Sequence, residues 1–229
     1  MNRHDFESRE ELARALAEAV AERIRIGIAE RGTAAIALSG GSTPGKFFSR
    51  LGKTKDIAWD KVTVTLVDER WVDELSARSN AGLINEKLLQ GPAAVARFLP
   101  LYSGGAEPTP ATIAETAARL SGIPKFDAVV LGMGNDGHTA SFFPGGDALA
   151  DALAGPAPVI AIRAPGAGEP RVTLSLPRLL ETEALYLHIE GAEKAETLDK
   201  ALAEGPELDM PVRAVLRQDR VPLEIYWAP

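Results

Sequence analysis

The sequence predicts an α/β fold, a mainly parallel open sheet with helices on both faces. Three observations point to it. Short apolar runs recur along the chain, among them 35–38, 62–67 and 126–131. Segments with helical periodicity separate most of them. This alternation of strand and helix continues over most of the chain, the pattern of an α/β domain with a mainly parallel, buried sheet.

The first element is a long amphipathic helix over Ser8–Arg31. Leu12, Leu16, Val20, Ile24 and Ile28 repeat at every fourth position, and Gly32 stops it. The residues ahead of it, His4 included, read as a frayed end. Ala35–Leu38 is a short buried strand running into Gly40-Gly41, and Pro44 opens a helix reaching about Leu51, since proline suits the first helical position. Val62–Val67 is strongly β-branched and ends at Asp68-Glu69-Arg70. Ala81–Leu89 and Pro108–Leu120 are helical, and Phe126–Leu131 is a third strand, ending in a glycine-rich turn over 132–138. Val159–Ile162, Val172–Leu176 and Ala184–Ile189 read as strands, Glu193–Leu202 as a helix and Leu223–Trp227 as a last strand. The Pro- and Gly-rich stretch 144–170 reads as loops on the side of the site. With no internal repeat and no long linker, a single domain over 1–229 is expected.

Net charge is −7, which argues against a general nucleic-acid or anionic-membrane binder, because such surfaces must be basic. A small anionic substrate stays open, since a few local cations reverse the field inside one cleft. The chain has no cysteine, so disulfides, thiolate catalysis and cysteine-held metals are excluded. The first residues lack the apolar core of a signal peptide, and no stretch approaches the ~20 apolar residues of a membrane span. A cytoplasmic address is expected.

Three loops each follow directly on a strand: Ser39–Pro44, Asp68–Arg70 and Gly132–His138. In an open α/β sheet, ligands bind beyond the carboxyl ends of the strands, so these loops should converge on one crevice. In the first, Gly40 and Gly41 let backbone approach a ligand, and Ser42 and Thr43 offer hydroxyls that can also cap the helix. Free N–H groups at that helix start favour an anion, so the loop reads as a phosphate cradle. It matches seven positions of a nucleotide P-loop, but the eighth, where Ser or Thr would hold Mg²⁺, is Phe47. In the second, Asp68 and Glu69 beside Arg70 suit a polyol or a water, or else form a surface ion pair. The third mimics a dinucleotide fingerprint, yet no long helix follows, and residues 155–158 are Gly-Pro-Ala-Pro where an acidic ribose ligand would be needed. What remains is Asp136 two residues before His138, a carboxylate able to orient an imidazole that exchanges protons near neutral pH. His188, inside an apolar strand, reads as a packed residue. The three histidines show no metal-ligand spacing. Arg171 opens a strand after a flexible loop and either reaches a phosphate or sits on the surface.

Taken in order, SGGSTP, DERWV, SNAGLINEKLL, FDAVVLGMGNDGHTASFFPG and RVTLSLP resemble the glucosamine-6-phosphate isomerase/6-phosphogluconolactonase family, on its lactonase side, across about residues 10–227. The resemblance implies the fold shared with glucosamine-6-phosphate deaminase and ribose-5-phosphate isomerase. It implies hydrolysis of a sugar-phosphate lactone, 6-phosphoglucono-δ-lactone, with no cofactor. No metal is expected, and the protein is expected to be a monomer or weak homo-oligomer. It puts the phosphate loop on Gly40, Gly41, Ser42 and Thr43, the family's DER arginine on Arg70 and the catalytic histidine on His138, oriented by Asp136 or a backbone carbonyl. Asp68 joins the substrate site, and Arg171 lies near the phosphate. In one departure, the lysine that many members carry in a K-P-P segment is missing from 164–170, so the expectation is either that Arg163 or Arg171 substitutes or that the phosphate is held with fewer charges. Two rivals follow: an amino-sugar phosphate deaminase, whose additional acid would fall on Phe143, and a non-catalytic sugar-phosphate sensor.

Overall fold

The computed structural model describes all residues, 1–229. In chain order the first half holds β1 (Asn2–Asp5), α1 (Arg9–Arg31), β2 (Ala34–Leu38), α2 (Gly45–Leu51), β3 (Val62–Leu66), β4 (Asp68–Arg70), α3 (Asn80–Lys87) and β5 (Arg97–Leu99). The second half holds α4 (Pro110–Leu120), β6 (Ala128–Leu131), α5 (Leu149–Ala154), β7 (Val159–Ile162), β8 (Arg171–Leu174), α6 (Leu176–Leu179), β9 (Leu185–Glu190), α7 (Ala192–Leu202), α8 (Val212–Arg217) and β10 (Leu223–Ala228). Seven strands form one sheet in the order β1-β10-β9-β6-β2-β3-β5, and every pair is parallel. This is the expected α/β sheet.

Local chemistry accounts for the elements. The Ser8 hydroxyl caps α1 by accepting the Glu11 N–H at 3.2 Å, and Gly32 ends the helix in the left-handed region with φ 79°. Leu12, Leu16, Val20 and Ile24 are fully buried, and α1 packs against α2, β2 and β10. Each such side chain stabilises the fold by about 1.5–3 kcal/mol relative to exposure. β2 is buried along its whole length, as the inner strand of a covered parallel sheet must be. No helix is long and apolar enough to cross a membrane.

Four expectations need correction. The N-terminus is not frayed: β1 extends the sheet beside β10, and His4 Nε2 lies 2.6 Å from a Glu224 carboxylate oxygen. Pro44 is the N-cap of α2 rather than its first helical residue, and no side chain caps that helix, so the Ser42 and Thr43 hydroxyls are not used there. Asp68–Arg70 is not a loop but a strand. It joins β8 and β7 in a separate three-stranded antiparallel sheet, order β4-β8-β7, so not all predicted strands belong to the parallel one. Leu176 lies in the helical turn α6 rather than in a strand, with Pro177 near its start, where a missing N–H costs nothing.

Candidate active site

The loops following β2 and β6 meet the small antiparallel sheet around a cavity of about 350 Å³. Gly40, Gly41, Ser42, Thr43, Asp68, Arg70, His138 and Arg171 all line it. Asp136 does not line it, but lies 2.6 Å from His138, which does.

At the first loop the sheet ladder continues one step, from the Ser39 N–H to the Val130 carbonyl at 2.9 Å, and then stops. No backbone N–H from Gly40 to Phe47 finds an acceptor in the chain; Phe48 is the first, donating to Pro44 at 2.8 Å. The N–H groups of Gly40–Thr43 thus lie on the cavity wall without an acceptor in the chain. Two glycines make it possible. Gly41 has φ 92°, a conformation side chains avoid, and a Cβ on Gly40 would stand 2.1 Å from Asn80 Oδ1.

The acids of β4 part company. The Glu69 side chain is fully buried and turned to the start of α3. Its carboxylate accepts the N–H groups of Asn80 at 2.8 Å and Ala81 at 2.7 Å, the Ser79 hydroxyl at 3.1 Å and its neighbour's Arg70 N–H at 2.8 Å. Burial pushes its carboxyl up, against the pull of those N–H groups. Glu69 is thus a structural cap and neither a sugar contact nor a surface ion pair. Asp68 faces the cavity, with one oxygen accepting the Ser141 hydroxyl at 2.6 Å. Its carbonyl is held by Asn80 Nδ2 at 3.0 Å.

Arg70 and Arg171 stand opposite one another in the β4–β8 ladder. Arg70 donates to the Arg78 carbonyl at 2.5 Å and Arg171 to the Ala167 carbonyl at 2.8 Å. Both Nε atoms are buried without a partner in the chain. Burial lowers the Arg171 pKa, and the charge of Arg70 adds to the effect while Asp68 opposes it. Arg171 is not a surface residue. Its guanidinium lies 5.2 Å from the Phe143 ring centre, and the other side of the site places His138 4.3 Å from the same ring.

In the third loop, Gly137 at φ 80° closes a tight turn, and Gly134 donates to the His138 carbonyl at 2.8 Å. The turn brings Asp136 Oδ1 within 2.6 Å of His138 Nδ1, and the same oxygen accepts the His138 N–H at 3.1 Å. Burial pushes the Asp136 carboxyl up, but the hydrogen bond and charge of His138 outweigh it and hold the group at about 2. Asp136 therefore engages Nδ1, and no group of the chain engages Nε2. Ala140, just beyond, is strained at φ 48° and also lines the cavity.

The cation inventory differs from expectation. Arg163 does not line the cavity and pairs with Glu107 instead. Lys194, from the first turn of α7, does line it, and burial lowers its amine pKa against the pull of Asp136 and Glu193. Sequence reasoning missed Lys194 and Asn80. The signal was present: α7 follows β9 with one residue between, at the same carboxyl edge as the other loops. His188 is packed, as expected, but also lines the cavity. No group of three or more His, Asp or Glu side chains is arranged to hold a metal ion.

The profile of the family described as Glucosamine-6-phosphate isomerases/6-phosphogluconolactonase matches residues 7–227. The chain is 51% identical to the 6-phosphogluconolactonase of Rhizobium meliloti strain 1021, covering 100% of this chain and 99% of that one. It is 41% identical to the 6-phosphogluconolactonase of Pseudomonas putida, covering 99% and 92%. Among solved structures, a 6-phosphogluconolactonase from Shewanella baltica OS155 superposes with a TM-score of 0.95 at 38% identity, over 100% of this chain and 98% of that one. A monomeric glucosamine-6-phosphate deaminase superposes with a TM-score of 0.80 at 19% identity, over 98% and 97%, which speaks for a shared fold alone.

Proposed function

Because the chain belongs to the family of glucosamine-6-phosphate isomerases and 6-phosphogluconolactonases, we propose that its cavity hydrolyses 6-phospho-D-glucono-1,5-lactone to 6-phospho-D-gluconate, the second step of the oxidative pentose phosphate pathway. The observation that carries the reading is the Asp136–His138 pair, 2.6 Å apart, in one cavity with a loop of unpartnered N–H groups. One end offers an acid–base group and the other an anion cradle.

The phosphate is held by the backbone N–H groups and hydroxyls of Gly40–Thr43, with Lys194 supplying charge. This fixes the lactone carbonyl relative to His138, so that binding of the unreactive end contributes to positioning at C1. Asp136 holds His138 by Nδ1, and Nε2 takes a proton from water as its oxygen attacks C1. The carbonyl electrons move onto oxygen, and the Arg70 guanidinium stabilises that charge. Collapse reforms the carbonyl and breaks the bond from C1 to the ring oxygen, which receives the proton from His138. Asp68 and Arg171 hold the sugar between the two ends. No covalent enzyme intermediate is needed, and Ser42 serves the phosphate rather than attacking the carbonyl. The protein acts within the cytoplasm on a small soluble substrate, the whole of 1–229 serving as one unit.

The deaminase alternative asks for a further acid near the histidine. Phe143 stands there instead, buried and packed on the His138 ring, so proton transfer at a second carbon lacks its carboxylate. The test is lactone hydrolysis followed above its spontaneous background. The wild type should accelerate it, and His138→Ala should lose about 10²–10⁴-fold of kcat, the usual share of general acid–base catalysis. Equal rates in both proteins would overturn the assignment, and ammonia release from glucosamine 6-phosphate would replace it with the deaminase.

A further inference from the structure

His188 lies on β9 at the loop edge of the sheet, one register step beyond the Leu131–Leu187 pair. Its side chain is only 3% exposed, yet it lines the cavity. Nε2 is 3.1 Å from a Glu190 carboxylate oxygen, itself 8% exposed. The ring is wedged against Phe47 of α2, edge to face, with centroids 6.1 Å apart. Nδ1 has no partner in the chain, but unlike the Arg171 Nε it is not among the atoms sealed from solvent. The pair therefore has a spoken-for nitrogen on the protein side and an available one on the cavity side.

The surroundings identify what that nitrogen meets. Phe47 belongs to the helix that the glycine loop leads into, so the ring lies at the loop end of the cavity rather than the His138 end. Glu190 borders a second, wholly polar hollow, which shares Ser42 and Thr43 with the first and has Arg9 and Lys46 on its wall. Arg9 reaches Glu190 at 3.4 Å. Arg9, Glu190 and His188 thus line up towards the loop. Set between a carboxylate and an oxyanion, the ring can donate from both nitrogens. A dry, edge-packed ring with its carboxylate already placed loses little freedom on making that second bond.

We propose that His188 is a positioning residue for the phosphate group of the substrate, donating through Nδ1 to a phosphoryl oxygen held over the 40–43 loop. The proposal rests on the reading of that loop as the phosphate site. His188 then acts on substrate affinity, and the chemical step at His138 is untouched.

Two polar substitutions separate this role from a structural one. In His188→Gln the amide nitrogen occupies the place of Nε2, keeping the Glu190 bond and losing the cavity donor. In His188→Asn it occupies the place of Nδ1, keeping the donor and losing Glu190. Binding of inorganic phosphate, measured by ³¹P NMR, should weaken about tenfold in H188Q, equivalent to ~1.4 kcal/mol, and by much less in H188N. KM for the phospho-lactone should rise in the same order with kcat retained, while kcat/KM for unphosphorylated glucono-1,5-lactone should stay at the wild-type value in both. The reverse ranking, or equal losses on both lactones, would mean that His188 only braces Glu190, and would overturn the proposal. Ser42→Asp is the reference. If it abolishes phosphate binding while H188Q does not weaken it, this inference alone fails. If S42D binds phosphate as the wild type does, the loop reading fails first and the inference with it.

Discussion

Asp136 Oδ1 sits 2.6 Å from His138 Nδ1 and simultaneously accepts the backbone N–H of the same histidine. One oxygen therefore fixes both the ring and the segment that carries it. Asp136→Asn keeps the shape but presents either a neutral acceptor or an N–H to Nδ1. We expect kcat to fall by about 10²-fold, within the range for a displaced or mis-tautomerised base, with KM nearly unchanged. Steady-state hydrolysis decides it, and a retained kcat would show that the carboxylate is dispensable.

The same pairing has a signature in acid. Asp136 is held at about 2 in the folded chain, below the unfolded carboxylate value of about 3.9. A lowered folded pKa stabilises the fold fully above about pH 4, and that contribution is lost as pH falls towards about 2. Denaturant unfolding across this window should fall more steeply for the wild type than for D136N. Parallel curves would mean the pair adds nothing to stability.

Gly134 is a second, indirect handle on the base. A Cβ there would stand 2.1 Å from His138 Nδ1 and 2.5 Å from Asp136 Oδ1. Gly134→Ala must push the imidazole aside, and a shift of about 1 Å can cost about 10²-fold in rate. Kinetics should show the loss in kcat, with phosphate binding by ³¹P NMR intact. A normal kcat in G134A would contradict the geometry of the turn.

Glu69 predicts an effect on stability. Glu69→Ala would strip the acceptor from the N–H groups of Arg70, Asn80 and Ala81 in a dry setting. At about 1–3 kcal/mol for each orphaned donor, the loss should reach about 3 kcal/mol or more. For a chain of this length that lowers Tm by roughly 6–12 °C. A melting curve within about 2 °C of the wild type would exclude the capping role.

The difference between Glu69 and Asp68 also marks the limit of what sequence reading could reach. The strands β2, β3, β6, β9 and β10 were legible because each is a short, mostly apolar or β-branched run between helical segments, and the loops after β2 and β6 announced themselves by glycine. β1 was not: Asn-Arg-His-Asp is polar and exposed, and only its ladder to β10 makes it a strand. β4 could not be recognised either, because its partner β8 lies about a hundred residues on. Without that pairing, nothing local says which of two adjacent acids turns inward. Gly40, Gly41, Ser42, Thr43, Asp68, Arg70, His138 and Arg171 nonetheless all line one cavity, while Asp136 stands behind His138. Lys194 was overlooked because a lysine in an amphipathic helix looks like solvent-facing charge, and only the fold sets it on the cavity wall.

Arg70 and Arg171, facing each other across two short strands with both Nε atoms shut away and unsatisfied, repel one another in the unliganded protein. An oxyanion between them relieves that repulsion, so the fold should be sturdier at work than at rest. By mass action a ligand at 100 times its Kd adds about 2.7 kcal/mol, so at equal concentration calorimetry should register a larger rise in Tm with 6-phospho-D-gluconate, whose C1 carboxylate reaches Arg70, than with inorganic phosphate, which fills only the 40–43 loop. Equal rises would mean the two arginines gain nothing from the ligand. In a cell, the consequence is turnover tied to supply: substrate would shield the chain from proteolysis, and its depletion would expose it.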